Sequence, residues 1–374
     1  MAREGIMERK KIVISGINMY EGGIISIYKD LLNSIIEDKI YEEFDIYVLV
    51  GKKELFAGYE QFFKIYEFPK SKTSWFWRIY YEYFYFNKMT KDKDIYFWLS
   101  MHDMTPRVYA KHRAVYCHNA TVNFDMKLIE ARYDKKVYLF SKFYKYLYAI
   151  NIKKNDYVVV QQQWLKDLFE KLYKINNVIV SRPNIQLPNI TIDSSDKYKE
   201  YTFVYISYPR FFKNFEIICE ANRILEMQGI TGYQIILSID GSENIYAKEL
   251  VEKYGDSKNI KFIGLQSREK VFEIYGKSDC MIFPSRLESW GLPITEYQMY
   301  NKPILVADEP YAHETVGRYD KVKFFAGTAP RELAGIMKEM ILKKETTYDK
   351  TNKEYRYDCY SWSEFTNKLF VIEK

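Results

Sequence analysis

The segment from Glu288 to Glu296 carries two acids on either side of an aromatic residue, a glycine and a proline. It follows a short apolar run typical of a strand and leads into a pattern typical of a helix. Free backbone N–H groups at such a helix start, around Gly291 and Leu292, can bind diphosphate oxygens with the help of the helix dipole. We expect Glu288 at the mouth of this site and Glu296 on the first turns of the helix. Two isolated acids would be interpreted as solvated surface residues, whereas the complete segment indicates a site.

Two cations, Arg210 and Lys213, follow the predicted strand 203–207 and precede Asn214, where a helical pattern begins. The arginine can hold a diphosphate through a bidentate fork, and the lysine can neutralise it as a point charge. Because ligands of open α/β sheets bind beyond the carboxyl ends of the strands, we expect these side chains near a ligand. For this segment taken alone, a solvated basic loop is the alternative.

Two further candidate positions lie in the first half of the chain. Gly22-Gly23 separates the first predicted strand from a helical pattern, and glycines there allow close approach of a phosphate or a sugar. The pair lacks the complete G-x-G-x-x-G spacing, so a plain turn is the alternative. His118, followed by Asn119, ends an apolar strand, although a lone histidine is usually structural. His102 has no sequence context that indicates a role.

The elements that must position these residues follow an α/β pattern, because short β-branched or aromatic runs alternate with longer stretches of helical period. The predicted strands are 11–17, 44–50, 95–99, 114–117, 157–160 and 178–181 in the first half, and 203–207, 234–239, 260–263, 280–283 and 303–306 in the second. A polar, proline-bearing stretch near residue 190 joins the two halves. We predict a first domain over residues 1–190, a second over residues 191–355, and a C-terminal helix within 356–374 that packs back on the first domain.

The string from Pro284 to Glu296 resembles the signature of glycosyltransferase family 4, the retaining enzymes of the GT-B fold. That signature is Pro-Ser, two variable residues, Glu, one more residue, an aromatic residue, Gly-Leu-Pro, and a second Glu eight positions after the first, and this chain matches it at each position. The resemblance implies two Rossmann-like α/β domains that face each other across a cleft. The first would bind the acceptor and the second the nucleotide-sugar donor.

The resemblance also implies a role for each candidate residue. Glu288 would lie beside the donor sugar, the Gly291 and Leu292 amides would hold the diphosphate, and Glu296 would accept hydrogen bonds from ribose hydroxyls. Family members place an Arg and a Lys further apart than Arg210 and Lys213, so Lys213 is the firmer match. The remaining donor-binding residues implied are Gly22, Gly23, Asn119 and Asn214. His118 is implied as a catalytic residue beside Glu288, Lys213 and Arg210, and its neutral imidazole could bond a sugar hydroxyl.

No metal ion and no cofactor are predicted. Asp92-Lys93-Asp94 formally matches the D-x-D motif by which other glycosyltransferases bind a metal-diphosphate, but it is better interpreted as a charged turn before a strand. GT-B enzymes use arginine, lysine and helix dipoles in place of the metal ion, and this chain has those substitutes. The donor would be a nucleoside diphosphate sugar.

Composition favours a cytoplasmic protein. The four cysteines are far apart and form no C-x-x-C pair, and no stretch approaches the ~20 apolar residues of a membrane-spanning helix. Residues 135–154 carry six lysines and no acid, with Phe140, Phe143 and Tyr144 on one face of the helical projection. Residues 71–89 are aromatic nearly all round. We predict contact of both stretches with the inner, anionic face of the cell membrane; packing of each helix on the sheet is the alternative.

The resemblance implies a retaining transferase that moves a sugar from a UDP- or GDP-sugar to a hydroxyl of a glycan or polyprenyl-diphosphate-linked acceptor. The process would be synthesis of bacterial surface polysaccharide, such as capsule or O-antigen. One alternative is a sugar-nucleotide epimerase of the same fold, which the two spaced glutamates disfavour; another is an inactive nucleotide-binding or scaffold subunit. No nucleic-acid partner is predicted, because the net charge of +6 is mild and no nucleic-acid-binding motif accompanies it.

Overall fold

The computed structural model describes residues 8–20, 22–183, 197–342, 347–351 and 353–370. The chain divides into two compact units. The first comprises Met1–Asn119, Phe143–Asn184 and Arg356–Lys374, and the second comprises Ala120–Lys142 and Ile185–Tyr355. The junction that the sequence predicts near residue 190 lies outside the described residues.

A seven-stranded parallel sheet in the order β3-β2-β1-β4-β5-β6-β7 forms the centre of the first unit. Its strands are β1 (Lys11–Gly16), β2 (Asp45–Val50), β3 (Lys64–Glu67), β4 (Ile95–Ser100), β5 (His112–Cys117), β6 (Tyr157–Val160) and β7 (Val178–Val180). The inner strands β1 and β4 are apolar along nearly their whole length because both faces of a parallel sheet are covered. The sequence did not predict β3, a short and largely exposed edge strand without an apolar run.

The helices of this part of the chain are α1 (Gly22–Glu37), α2 (Ile40–Glu43), α3 (Trp75–Tyr80), α4 (Phe86–Thr90), α5 (Lys135–Ala149) and α6 (Gln163–Tyr173). A π-helical turn, Tyr81–Tyr85, joins α3 to α4. The division between the two units falls within α5.

The second unit contains a six-stranded parallel sheet in the order β10-β9-β8-β11-β12-β13. Its strands are β8 (Tyr201–Tyr205), β9 (Tyr233–Leu237), β10 (Ile260–Phe262), β11 (Cys280–Phe283), β12 (Ile304–Ala307) and β13 (Val322–Phe325). Its helices are α7 (Phe215–Met227), α8 (Ile245–Tyr254), α9 (Arg268–Lys277), α10 (Leu292–Gln298), α11 (Pro310–Val316) and α12 (Pro330–Ile341). The predicted pair of parallel α/β sheets is confirmed, with β13 as a strand that the sequence did not predict.

Residues 120–142 group with the second unit, whereas the sequence predicts them in the first domain. The rings of Phe124 and Tyr133 pack against Phe211, with centroids 5.7 and 6.4 Å away. Arg132 adds an ion pair to Glu249 at 2.9 Å. These partners lie far away in the sequence, so local patterns did not indicate the grouping.

The C-terminal helix α13 (Trp362–Phe370) belongs to the first unit. Its residues Phe365 and Leu369 are fully buried in the same core cluster as Tyr28 of α1. A parallel bridge between Ser181 and Cys359 lies just before it in the chain.

The continuous helix from Trp75 to Thr90 buries two charged side chains and exposes several aromatic rings. Arg78 and Glu82 are 5% and 0% exposed, whereas Phe76 and Phe84 are 69% and 64% exposed. Packing of this helix on the sheet, which is the alternative to membrane contact, is therefore only partly met. Of the aromatic side chains between Trp75 and Thr90, Phe86 alone is fully buried.

Helix α5 also leaves apolar side chains in solvent. Tyr144 and Tyr148 are buried, while Leu139, Phe143 and Tyr146 are more than half exposed. Packing on the rest of the fold, the alternative for this helix, therefore holds for Tyr144 and does not hold for Phe143. Among the described helices, none has the length and apolar character needed to cross a membrane.

Candidate functional site

Lys213 and Glu288 meet at the carboxyl edge of the second sheet. Lys213 ends a 3-10 helix, Phe211–Lys213, in the loop after β8, and Glu288 lies in the loop after β11. The two strands are neighbours in the sheet, so their following loops converge although the residues are 75 positions apart. The Lys213 ammonium group contacts the Glu288 carboxylate, and the two side chains are only 16% and 14% exposed. Tyr205 supports the loop because its hydroxyl donates to the Lys213 carbonyl at 3.0 Å.

Asn214 holds this loop in place. Its backbone has φ 59°, a left-handed conformation that asparagine tolerates better than most residues. The buried side-chain amide donates to the carbonyls of Pro284 at 3.3 Å and Gly327 at 2.9 Å. The amide thus ties together the loops that follow β8, β11 and β13.

Arg210 lies on the same loop and contacts a different acid. Its side chain is 48% exposed, and its guanidinium group lies 3.6 Å from the Asp134 carboxylate. The half-exposed pair is separated by more than a hydrogen-bond distance, so we expect it to contribute little to stability.

Arg286 is a third cation at this edge, and the sequence analysis missed it. Its backbone N–H donates to the Phe212 carbonyl at 2.8 Å, and its guanidinium group pairs with Glu130 at 3.3 Å and lies 5.0 Å from the Phe211 ring centroid. It occupies a variable position of the Pro-Ser-x-x-Glu string, so the string itself did not point to it.

Gly291 begins the helix that carries Glu296. Its φ of 89° is a left-handed conformation natural to glycine, and Leu292 is the first residue of the seven-residue α10. The first turn of a helix leaves amide N–H groups without intrahelical acceptors, which suits an anion. Trp290 fixes the turn, since its indole N–H donates to the Thr295 hydroxyl at 3.0 Å.

Glu296 is buried on α10 and lies next to a cation. The Arg268 guanidinium group at the start of α9 lies 3.3 Å from its carboxylate. Burial raises the pKa of Glu296, and the positive charge of Arg268 opposes that shift. The sequence offered no signal for Arg268, which is 28 residues away.

The first unit contains the other predicted residues. His118 and Asn119 follow β5, and both backbone N–H groups donate to Asp103 Oδ1, at 2.9 and 3.2 Å. The His118 Nε2 atom lies 3.6 Å from Asp103 Oδ2. Its Nδ1 atom is buried and has no hydrogen-bond partner among the described residues. Asp103, which the sequence analysis did not select, is therefore the residue that holds the pair.

Gly22 and Gly23 are the first two residues of α1. The helix follows β1, so the pair lies beyond the carboxyl end of an inner strand of the first sheet. The alternative of a plain turn is wrong at these positions, because both residues are helical.

A buried ionisable cluster lies close to the same edge. The His102 Nε2 atom is 3.3 Å from Glu82 Oε1 and 3.2 Å from the Ser15 hydroxyl, and Arg78 donates to the His102 carbonyl at 2.8 Å. Burial raises the pKa of Glu82 to about 8, against the opposing charge of Arg78. Burial also lowers the pKa of His102 well below its usual value. The partners of His102 are therefore visible in the structure, although the sequence around His102 did not indicate them.

Asp92 and Asp94 lie in an exposed turn before β4, both with positive φ angles of 62° and 48°. Across the part of the chain that the structure describes, no three His, Cys, Asp or Glu side chains are grouped so that they could hold a metal ion.

Comparison with known proteins supports a glycosyltransferase. Residues 190–357 match the family model described as Glycosyl transferases group 1. The O-antigen chain mannosyltransferase RfbU of Salmonella typhimurium is 23% identical over 180 residues, which cover 46% of this chain and 48% of RfbU. The chain thus spans about half the length of that relative.

Solved structures share the fold at low sequence identity. The lipopolysaccharide outer core galactosyltransferase WaaB superposes with a TM-score of 0.65 at 14% identity, covering 96% of this chain and 99% of WaaB. HepE of Anabaena in complex with UDP-glucose gives a TM-score of 0.58 at 14% identity, covering 96% and 95%. The fold prediction is confirmed as GT-B. Over residues 190–357 the chain is similar to the glycosyl transferases of group 1, within a fold shared with GT-B glycosyltransferases.

Proposed function

We propose that the chain is a retaining glycosyltransferase of family 4 that transfers a sugar from a UDP- or GDP-sugar to an acceptor hydroxyl. The observation that carries this proposal is the contact of Lys213 with Glu288 at the carboxyl edge of the second sheet. This contact places a cation that can neutralise a diphosphate beside a carboxylate that can stabilise positive charge on a sugar. The match of residues 190–357 to the group 1 transferases supports it.

Departure of the nucleoside diphosphate develops negative charge, which Lys213 and Arg210 neutralise and the Gly291 and Leu292 amides bind. Such preorganised groups are usually among the largest contributions to catalysis. In the free chain both cations are paired with carboxylates, Lys213 with Glu288 and Arg210 with Asp134. Donor binding therefore exchanges these ion pairs for phosphate contacts.

The chemical step needs no covalent enzyme intermediate. The bond from the anomeric carbon to the diphosphate oxygen breaks while the acceptor oxygen attacks from the same face. The leaving phosphate takes the acceptor proton, and Glu288 stabilises the positive charge that develops on the donor sugar. The cations and amides of the second unit supply the charge that a metal ion would supply elsewhere, so we propose a reaction without metal or cofactor.

Glu296 binds the donor through its ribose hydroxyls, which donate hydrogen bonds to the carboxylate. Its partner Arg268 is 58% exposed and favours the ionised carboxylate that accepts these bonds. This contact is present before and during the reaction, so it contributes to binding and little to rate.

The acceptor is a glycan or a polyprenyl-diphosphate-linked sugar in bacterial surface polysaccharide synthesis. The names of the relatives support this class, since RfbU is an O-antigen chain transferase and WaaB a lipopolysaccharide outer core transferase. The complex of HepE with UDP-glucose supports a nucleotide-sugar donor.

The exposed aromatic side chains favour a protein that works at the cytoplasmic face of the membrane. Phe76, Tyr80 and Phe84 recur at every fourth position of the helix from Trp75 to Thr90, and all are exposed. Lys70 and Lys72 lie just before this helix and are exposed. Aromatic rings flanked by cations suit an anionic lipid surface, where they would bring the active site to a lipid-linked acceptor.

Thermal unfolding with a panel of UDP- and GDP-sugars tests the proposal. A ligand at ~100 times its dissociation constant adds about 2.7 kcal/mol to the free energy of unfolding, and we expect that gain with one base and sugar. The variant Lys213→Gln should lose most of it. The stabilising donor is then incubated with lipid-linked glycan acceptors, and mass spectrometry should detect the added sugar. Stabilisation by an oligonucleotide instead of any nucleotide sugar would contradict the proposal.

A further inference from the structure

Asp103 is a buried carboxylate at the carboxyl edge of the first sheet, three residues after β4. It is 6% exposed, and its backbone is left-handed with φ 71°. The conformation is secured by its own N–H, which donates to the Tyr116 carbonyl of β5 at 3.1 Å. The side chain therefore has a defined place between the loops that follow β4 and β5.

Four hydrogen bonds converge on this carboxylate. Oδ1 accepts from the backbone N–H of His118 at 2.9 Å, that of Asn119 at 3.2 Å, and the Tyr148 hydroxyl at 2.8 Å. Oδ2 accepts from the Tyr144 hydroxyl at 3.0 Å and lies 3.6 Å from His118 Nε2. A buried carboxylate with this many donors is satisfied and held rigidly.

The loop that carries Asp103 is itself anchored from the other side. Arg78, only 5% exposed, donates to the carbonyl of the preceding residue, His102, at 2.8 Å. Hydrogen bonds therefore hold both the backbone and the side chain of Asp103 in place. A side chain held in this way can in turn position the residues that it contacts.

We propose that Asp103 is the positioning residue for His118 and Asn119. Its Oδ1 atom sets the backbone of the pair through two amide hydrogen bonds, and its Oδ2 atom faces the imidazole edge. This inference rests on the proposed function and on the donor-binding role that the family resemblance implies for His118 and Asn119. Because a misplacement of ~1 Å can cost ~10²-fold in rate, the removal of this carboxylate affects the reaction through His118.

A double-mutant cycle tests the coupling. We expect Asp103→Ala and His118→Ala each to lower kcat. Asp103→Ala should lower kcat by a smaller factor in the His118→Ala background than in the wild type, because only the positioning of Asn119 is then left to lose. Asp103→Asn retains an oxygen that can accept both amide N–H groups, so its loss of kcat should be smaller than that of Asp103→Ala. Asp103→Asn also decides the question if Asp103→Ala does not fold.

Asn155→Ala is the matched control. Asn155 is equally buried, and its amide donates at 2.8 Å to the hydroxyl of Thr105, two residues after Asp103. This substitution removes a buried hydrogen bond from the same loop without touching His118. We expect a lower melting temperature and an unchanged kcat per folded molecule.

The imidazole of His118 gives a readout that does not depend on activity. Nitrogen NMR of the ring in the unliganded protein should change in Asp103→Asn and stay as in the wild type in Asn155→Ala. If His118→Ala keeps full activity, the donor-binding role that the resemblance implies for His118 is wrong, while the ring signals still test the contact with Asp103. If His118→Ala loses activity but folded Asp103→Asn and Asp103→Ala keep kcat and the ring signals, the positioning role is overturned and the proposed function stands.

Discussion

Glu288 and Glu296 lie in one segment of the second unit but face different cations. Glu288 contacts Lys213, which belongs to the proposed leaving-group site, and Glu296 pairs with Arg268, which does not. The two acids therefore have different roles, one tied to the charge of the reaction and the other to the binding of the ribose. This difference gives the two side chains separate kinetic signatures.

We expect Glu288→Gln to lower kcat by ~10²- to 10³-fold, about 2.7 to 4 kcal/mol in the barrier, with little change in donor affinity. Its carboxylate interacts more strongly with the transition state than with the ground state. Glu296→Gln should chiefly raise the donor KM, because ribose binding is nearly the same in both states. Steady-state kinetics with the identified donor measures both.

Glu220→Gln is the control for these two variants. Glu220 lies on α7, away from both glutamates in the sequence, and pairs with Lys253 of α8. Circular dichroism must show all three variants folded. A near-normal kcat in Glu288→Gln would mean that the site is wrongly assigned.

Glu82 makes stability depend on pH. Burial raises its pKa to about 8, so the folded chain keeps the proton while the unfolded chain loses it near the usual value. The folded state then binds more protons, and stability falls as pH rises from 6.5 to 8, by about 1.4 kcal/mol per unit at most. His102, whose pKa burial lowers, acts in the opposite direction where the unfolded chain protonates this residue, at about pH 6.5 and below, so it offsets part of the fall at the acid end of the range.

Urea unfolding at pH 6.5 and 8 measures this effect. Glu82→Gln should flatten the dependence, because the amide does not ionise, whereas Glu42→Gln on the surface should leave it unchanged. Equal slopes in the wild type and Glu82→Gln would show that Glu82 is not the group responsible.

At the scale of elements, α10 depends on the left-handed Gly291 that precedes it. A Cβ there would lie 3.4 Å from the Ile294 side chain, and the φ of 89° is unfavourable for alanine by about 1–2 kcal/mol. Gly291→Ala should therefore turn the first amides of α10 away from the donor and weaken nucleotide binding in calorimetry.

Gly335→Ala provides the comparison, because Gly335 lies within α12 and a Cβ there meets no atom within 4 Å. Alanine should stabilise that helix by up to ~1 kcal/mol and leave donor binding intact. If Gly291→Ala binds the nucleotide with unchanged affinity, the first amides of α10 do not contribute to donor binding.

The turn before β4 is the place to test metal independence. Asp92 and Asp94 both have positive φ angles, so Asn, which tolerates this conformation, is the suitable replacement. Activity should survive EDTA, and Asp92→Asn with Asp94→Asn should be nearly neutral. Complete loss of activity on chelation, restored by manganese, would overturn the proposed mechanism.

At the scale of the whole molecule, two helices expose large aromatic side chains. Phe76 and Phe84 are on one helix, and Phe143 and Tyr146 are on α5. We expect flotation with anionic liposomes at low salt and less at high salt, because salt screens the lysines nearby.

Phe76→Ser with Phe84→Ser should reduce flotation without loss of stability, since both rings are exposed. Met227→Ser, at a side chain 84% exposed on α7, is the matched control. If the wild type does not float under any condition, the membrane proposal is wrong.

The sequence alone determined the two α/β sheets and the segment from Glu288 to Glu296, because both are local patterns: apolar strand-length runs, and a glycine and a proline at a helix start. It also indicated Lys213, which follows a strand closely. Tertiary structure alone decided the partners. Strand neighbours β8 and β11 bring Lys213 to Glu288, and β4 and β5 bring Asp103 to His118. Strand order, the burial of Arg78 and Glu82, and the grouping of residues 120–142 with the second unit all depend on contacts between distant residues, which local periodicity does not encode.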